Sequence, residues 1–104
     1  MDTLQIAYKI LHSLETKKKA DYMGTIISPQ RLGIEDDEWL DVIRSLLDEG
    51  YVAGISIKPD IIGNVNVDIR SARITLKGAE YLHENSAMRK LAKIATDVIT
   101  IVKP

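Results

Sequence analysis

A chain of 104 residues with 45% hydrophobic content makes one domain with a single modest core. The absence of cysteine excludes disulfides, thiolate zinc sites and cysteine nucleophiles. A net charge of -1 and a pI near 6.1 give no global attraction to nucleic acid or anionic lipid.

Met1 to Gln5 shows neither the basic start nor the apolar run of a signal peptide, and no segment approaches the ~18 consecutive apolar residues of a membrane span. A cytoplasmic protein without a membrane partner is the expectation. The charges are unevenly placed. Residues 31–49 carry seven acids against Arg31 and Arg44, a net of -5. Residues 75–104 carry five bases against three acids, and residues 50–74 carry Lys58, Arg70 and Arg73 against Asp60 and Asp68.

The first helix is read from Leu4, Ala7, Tyr8, Leu11 and Leu14, which recur at three and four residues and fall on one face. Asp2 or Thr3 caps its start, and Lys17, Lys18 and Lys19 suit the negative end of its dipole. Thr25-Ile26-Ile27 is short and β-branched, fit for one small strand. Ser28-Pro29 opens a short second helix that ends at Gly33.

A third helix follows Glu35, with Glu38 at its third position and Ile34 and Trp39 placed for a hydrophobic staple. Trp39, Val42, Ile43, Leu46 and Leu47 make its buried stripe, and Gly50 closes it as a left-handed cap. Tyr51, Ala53, Ile55 and Ile57 then alternate on one face of a strand. Pro59-Asp60 ends that strand and Gly63-Asn64 suits a turn; Val65, Val67 and Ile69 alternate with polar residues as a second strand or a loose loop. Thr75 caps a fourth helix through Leu82-His83, and Asn85-Ser86 separates it from a fifth, about Ala87 to Val102. In this last helix Met88, Leu91, Ala95, Val98 and Val102 form a heptad-like seam with further apolar residues beside it, which predicts a homodimer through residues 87–102.

Catalytic, cofactor and metal motifs are not found. There is no phosphate loop and no dinucleotide glycine pattern, and His12 and His83 stand apart as surface residues. Asp36, Asp37, Glu38 and Asp41 belong to a helix's first turns, where acids are favoured by the dipole alone. Asn64 to Asp68 begins like a calcium loop but has Ile69 at the glycine position and Thr75 at the glutamate position.

The order of short helix, helix, hairpin and helix is that of an α+β winged helix-turn-helix with added C-terminal helices, in one domain over residues 1–104. Such a domain reads DNA with its third helix. Here the outer face of that helix holds Asp37, Asp41, Arg44, Ser45 and Asp48, with Arg44 bracketed by two of the acids. Phosphate contact supplies most non-specific affinity, so this face opposes ordinary docking. Duplex DNA as a partner then requires the wing bases Lys58, Arg70 and Arg73 together with the terminal helices.

Three segments carry a family resemblance: Asp48-Glu49-Gly50-Tyr51-Val52-Ala53-Gly54-Ile55, Ile74-Thr75-Leu76-Lys77-Gly78-Ala79-Glu80-Tyr81-Leu82, and His83-Glu84-Asn85-Ser86-Ala87-Met88. Together they resemble the YjcQ family, small proteins of Gram-positive bacteria and their phages. The resemblance implies a winged-helix-like fold and carries no established activity and no catalytic or ligand residues. The leading expectation is a non-enzymatic, DNA-binding-type regulator of bacterial or prophage origin. Its rival is a protein-interaction module or DNA mimic that uses the acidic third helix.

Overall fold

A computed structural model describes the chain over residues 2–17 and 26–102, with side chains as far as Ile94. Helix α1 (Thr3–Thr16) starts where the Asp2 N–H donates to Gln5 Oε1 at 3.4 Å. Its buried residues are Ile6, Ala7, Ile10, Leu11 and Leu14. Ile6 and Ile10 replace Leu4 and Tyr8 of the expected stripe, Leu4 being exposed and Tyr8 half-buried. The reason is that α1 is central: it packs against two later helices, the third helix and a strand, so its buried arc is wider than one stripe.

The small strand expected at residues 25–27 is not formed at its described positions. Ile26 is helical and Ile27 lies in a turn, with both side chains buried. Helix α2 (Pro29–Leu32) begins as anticipated: Ser28 Oγ accepts from Arg31 N at 3.2 Å, and Gly33 ends it with φ of 69°. Helix α3 (Asp36–Asp48) is tied to this turn by Trp39, whose Nε1–H donates to Ile27 O at 2.7 Å. Trp39, Val42, Ile43 and Leu46 face the core. Its end is a Schellman closure: Gly50 (φ 78°) donates to Leu47 O at 3.0 Å and Tyr51 to Leu46 O at 2.9 Å.

The first expected strand is broken in two. β1 (Val52–Ala53) pairs antiparallel with β4 (Arg73–Ile74), while β2 (Ser56–Pro59) pairs with β3 (Val65–Asp68) in a separate two-stranded sheet. Between them Gly54 has φ of 77°, and a Cβ there would lie 2.0 Å from Ser71 O. That bend reverses the inward side, so Val52 is buried in β1 whereas Ile57 faces the body in β2. Residues 65–68 are thus a true strand, and its loop is Asp60–Asn64.

Helix α4 (Leu76–Glu84) is capped by Thr75, whose Oγ1 accepts from Gly78 N at 3.0 Å. Asn85 then caps α5 (Ser86–Val102): its Oδ1 accepts from Ala87 N at 3.0 Å and Met88 N at 3.2 Å. The result is an α+β fold of helices around α1 and two small antiparallel sheets, an arrangement compatible with a wing-like hairpin. Among the described residues no helix is long and apolar enough to cross a membrane.

Candidate functional site

The β2–β3 hairpin has two unlike faces because paired residues of an antiparallel ladder share a side. Ser56 opposite Asp68 and Lys58 opposite Asn66 make a polar, exposed face. Ile57 opposite Val67 and Pro59 opposite Val65 make an apolar one. The inner pair, Ile57 and Val67, packs on the core; Pro59 and Val65, further out, are exposed.

The apolar face looks across a groove at α3. One depression of about 350 Å³ lies among Ser28, Pro29, Asp36, Leu40, Val65 and Val67. A second, of about 410 Å³, lies among Arg44, Leu47, Asp48, Ile57, Pro59 and Val65. Val65 borders both, so the two depressions adjoin and together form the groove between α3 and the hairpin. Its floor is apolar on both sides, and the α3 wall carries Asp36, Arg44 and Asp48. Beyond this wall Asp37 and Asp41 are also exposed. Leu47, expected in the buried stripe, is instead half-buried and lines the groove. The expected local answer to Arg44 is not made: among the described residues it forms no ion pair with Asp41 or Asp48.

The loop beyond Pro59 is ordered around one carboxylate. Asp60 Oδ1 accepts from Ile62 N at 3.0 Å and Asn64 N at 2.8 Å, the Asp60 N–H donates to Asn64 O at 2.7 Å, and Gly63 has φ of 87°. The loop holds Ile61 and Ile62 in solvent, at 104% and 83% relative exposure. Two fully exposed isoleucines on a backbone with this many bonds are a presented surface.

Of the bases singled out in the sequence, the hairpin gathers two. Lys58 and Arg70 border a depression of about 460 Å³ with Ser56, Asn66 and Asp68. Arg70 is engaged there: Nε donates to Asp68 Oδ1 at 3.0 Å and a terminal nitrogen to Oδ2 at 2.8 Å, while the Arg70 N–H also reaches Oδ1 at 3.0 Å. The side-chain bonds from Arg70, then its backbone bond, with help from its charge and that of Lys58, lower the Asp68 pKa to about 2. Arg73 is separate: it lies exposed in β4, opposite Ala53, and does not border this depression.

The seam expected on α5 is divided. Met88 is completely buried within its own chain and Leu91 packs against the same core, so Met88 is withdrawn from any partner. This corrects its place on a dimer face; α1 and α4 already cover it. The side chains of Ala95, Val98 and Val102 lie outside the described residues. Ile94, one of the flanking apolar residues, is 51% exposed.

Two of the three motif segments form a lock, and it is structural. Thr75 Oγ1 donates to Gly50 O at 2.6 Å and the Thr75 N–H to Tyr51 O at 3.1 Å. Gly78 sits so close that a Cβ would lie 2.0 Å from Tyr51 O. Tyr51 stacks on Tyr81 at 4.4 Å, and Lys77 Nζ lies 5.6 Å from the Tyr51 ring centre. Burial, followed by the charges of Tyr51 and Glu49, raises the Tyr81 pKa. Glycine and threonine are therefore demanded by close helix–strand approach.

The family model described as YjcQ protein matches residues 8–100. This chain belongs to the YjcQ family. Neither the comparison with curated proteins nor that with solved structures gives a match. The histidines stand at the surface, His12 stacked on Tyr8 at 5.3 Å and His83 Nε2 2.7 Å from Glu15 Oε2. Among the described residues no group of histidine and carboxylate side chains is arranged to hold a metal ion.

Proposed function

We propose that this YjcQ-family chain is a winged-helix protein-docking module whose binding surface is the groove between α3 and the hairpin. The observation that carries the reading is the groove itself: an apolar floor from two elements, with a wall supplied by an acidic helix. Its occupant is a basic, amphipathic segment of a protein partner. Apolar side chains would cover Leu40, Leu47, Val65 and Val67, and lysine or arginine would meet Asp36 and Asp48. Ile61 and Ile62, in the loop joining Pro59 to Val65, would extend the apolar contact at one end.

Duplex DNA becomes the second reading. Lys58 favours it, being exposed on the polar face of the hairpin. Arg70 argues against it, since its guanidinium is already held by Asp68 through two bonds. The acids of α3 would meet phosphates if that helix entered a groove.

Backbone amide spectra recorded on titration test the two directly. A helical peptide of leucine and lysine should shift the signals of Leu40, Leu47, Val65 and Val67, and one of leucine and glutamate should not. Random duplex DNA at low salt should leave these residues unmoved. If DNA shifts Lys58 and Asn66 while the basic peptide does nothing, the docking reading fails and the DNA reading replaces it.

A further inference from the structure

We infer that the groove's occupant includes α5 of a second copy of this chain. The inference rests on the docking reading and names its partner. α5 is 17 residues long, about 25 Å at the usual rise, yet its described anchors, Met88 and Leu91, lie in its first two turns. On the opposite side Arg89, Lys90 and Lys93 are exposed. Ile94 stands one turn beyond Lys90, so the exposed ridge pairs an apolar residue with bases.

This is the complement of the groove, which pairs an apolar floor with a wall where Asp36 and Asp48 outnumber Arg44. Among the described residues the exposed sides of the other long helices are mixed or acidic: α1 offers Lys9 with Glu15, α4 offers Lys77 with Glu80 and Glu84, and α3 is acidic. An intramolecular match is prevented by the fold. α1 packs against both α3 and α5, which share no substantial contact, so α5 meets this groove only on another molecule. Two such contacts related by a twofold axis would close a dimer in which each copy gives a helix and receives one. A symmetric α5–α5 seam, by contrast, would call on Met88, which is buried in its own chain.

Sedimentation equilibrium of the full chain at high micromolar concentration tests this, with charge reversals on each side. The wild type is expected to dimerise, with affinity falling as salt is raised. D36K/D48K and K90E/K93E should each weaken the dimer by at least about tenfold, since like charges then face each other. The protein carrying all four changes should recover most of the affinity. These positions are exposed, and circular dichroism should show the same helicity in every variant. A wild type that remains monomeric overturns the inference, as does a dimer indifferent to D36K/D48K or one not restored by the fourfold variant. The leucine–lysine peptide separates this failure from that of the docking reading. If it shifts the groove residues of a monomeric chain, the groove is a docking site and α5 is not its occupant.

Discussion

The two sheets have the same size class and the same antiparallel pairing, yet they behave oppositely. β1–β4 is pressed between helices: Val52 is buried, Gly78 packs too close to Tyr51 O for any side chain, and Gly54 admits Ser71 at a distance no side chain would allow. β2–β3 has one polar face in solvent and an apolar face only half covered, with Val65 at 39% exposure and two isoleucines at its tip. Both are preorganised, the first by close packing and the second by the hydrogen bonds of Asp60. The lesson is that two of the three recognisable segments lie at the sheet that holds the fold, whereas the surface proposed for a partner lies at the hairpin, which has no recognisable motif.

Side-chain truncation gives the largest separation. Ile43 is completely buried in α3, so Ile43→Ala should cost about 2–5 kcal/mol, the transfer loss plus a cavity. Val65→Ala at the outer hairpin should cost about 0.5 kcal/mol or less, as is usual for exposed positions. Urea unfolding of the two variants measures the difference. Equal losses would mean that the hairpin is as integral to the core as α3.

Two glycines sharpen the same contrast. Gly78→Ala drives a methyl against Tyr51 O in the lock and should cost about 1–3 kcal/mol or more as overpacking. Gly63→Ala meets no atom within 4 Å and bears only the strain of φ 87°, about 1–2 kcal/mol. Thermal unfolding should rank Gly78→Ala below Gly63→Ala. The reverse order would place the critical backbone constraint at the hairpin tip.

What was legible in the sequence follows the same division. Caps are local, so Ser28-Pro29, Thr75 and Gly50 mark their helix ends correctly, and Asn85 was placed at a break where it also caps α5. Residues 65–68 had strand alternation, but whether they paired depended on partners in β2. The stripe on α1 was missed at Ile6 and Ile10 because periodicity reveals one face, whereas a helix surrounded by several elements buries more. The division of Tyr51–Ile57 was marked only by Gly54 itself, a glycine inside a strand pattern, while the alternation on either side runs on unbroken and the Ser71 carbonyl that sets the bend is distant in sequence. The candidate site was less legible than the fold. Lys58 and Arg70 are neighbours as the hairpin required, but the groove arises from Leu40 and Leu47 facing Val65 across space, which no local spacing encodes. The exposure of Ile61 and Ile62 had no signal beyond their position before Gly63-Asn64.

Trp39 tests how far the core depends on one polar bond. Its indole N–H donates to Ile27 O in a buried setting, and Trp39 also borders the groove. Trp39→Phe keeps most apolar contact but leaves that carbonyl without its donor, a loss of about 1–3 kcal/mol. Chemical denaturation should show it, and a change near zero would indicate that Ile27 O finds another donor.

The smallest expected effect belongs to Asp68 and Arg70, on the polar face of the hairpin. Asp68 titrates at about 2 in the folded chain against an ordinary 3.8, chiefly because the Arg70 side chain bonds its carboxylate. A folded pKa below the unfolded one means that the pair stabilises the fold above the unfolded value, and that this contribution disappears as pH falls from about 3.8 through about 2. Because the pair is exposed, solvent screens it and the consequence for stability is small. Carboxyl carbon shifts followed by pH provide the direct reading. Arg70→Ala should move the Asp68 midpoint upward but not all the way to 3.8, since the backbone N–H of residue 70 still donates to Oδ1 and Lys58 still lies nearby. Full return to the ordinary value would show that the backbone bond contributes nothing once the guanidinium is gone. A midpoint fixed near 2 would mean that Lys58 and the backbone hold the carboxylate by themselves, leaving Arg70 more available to phosphates than the docking reading requires.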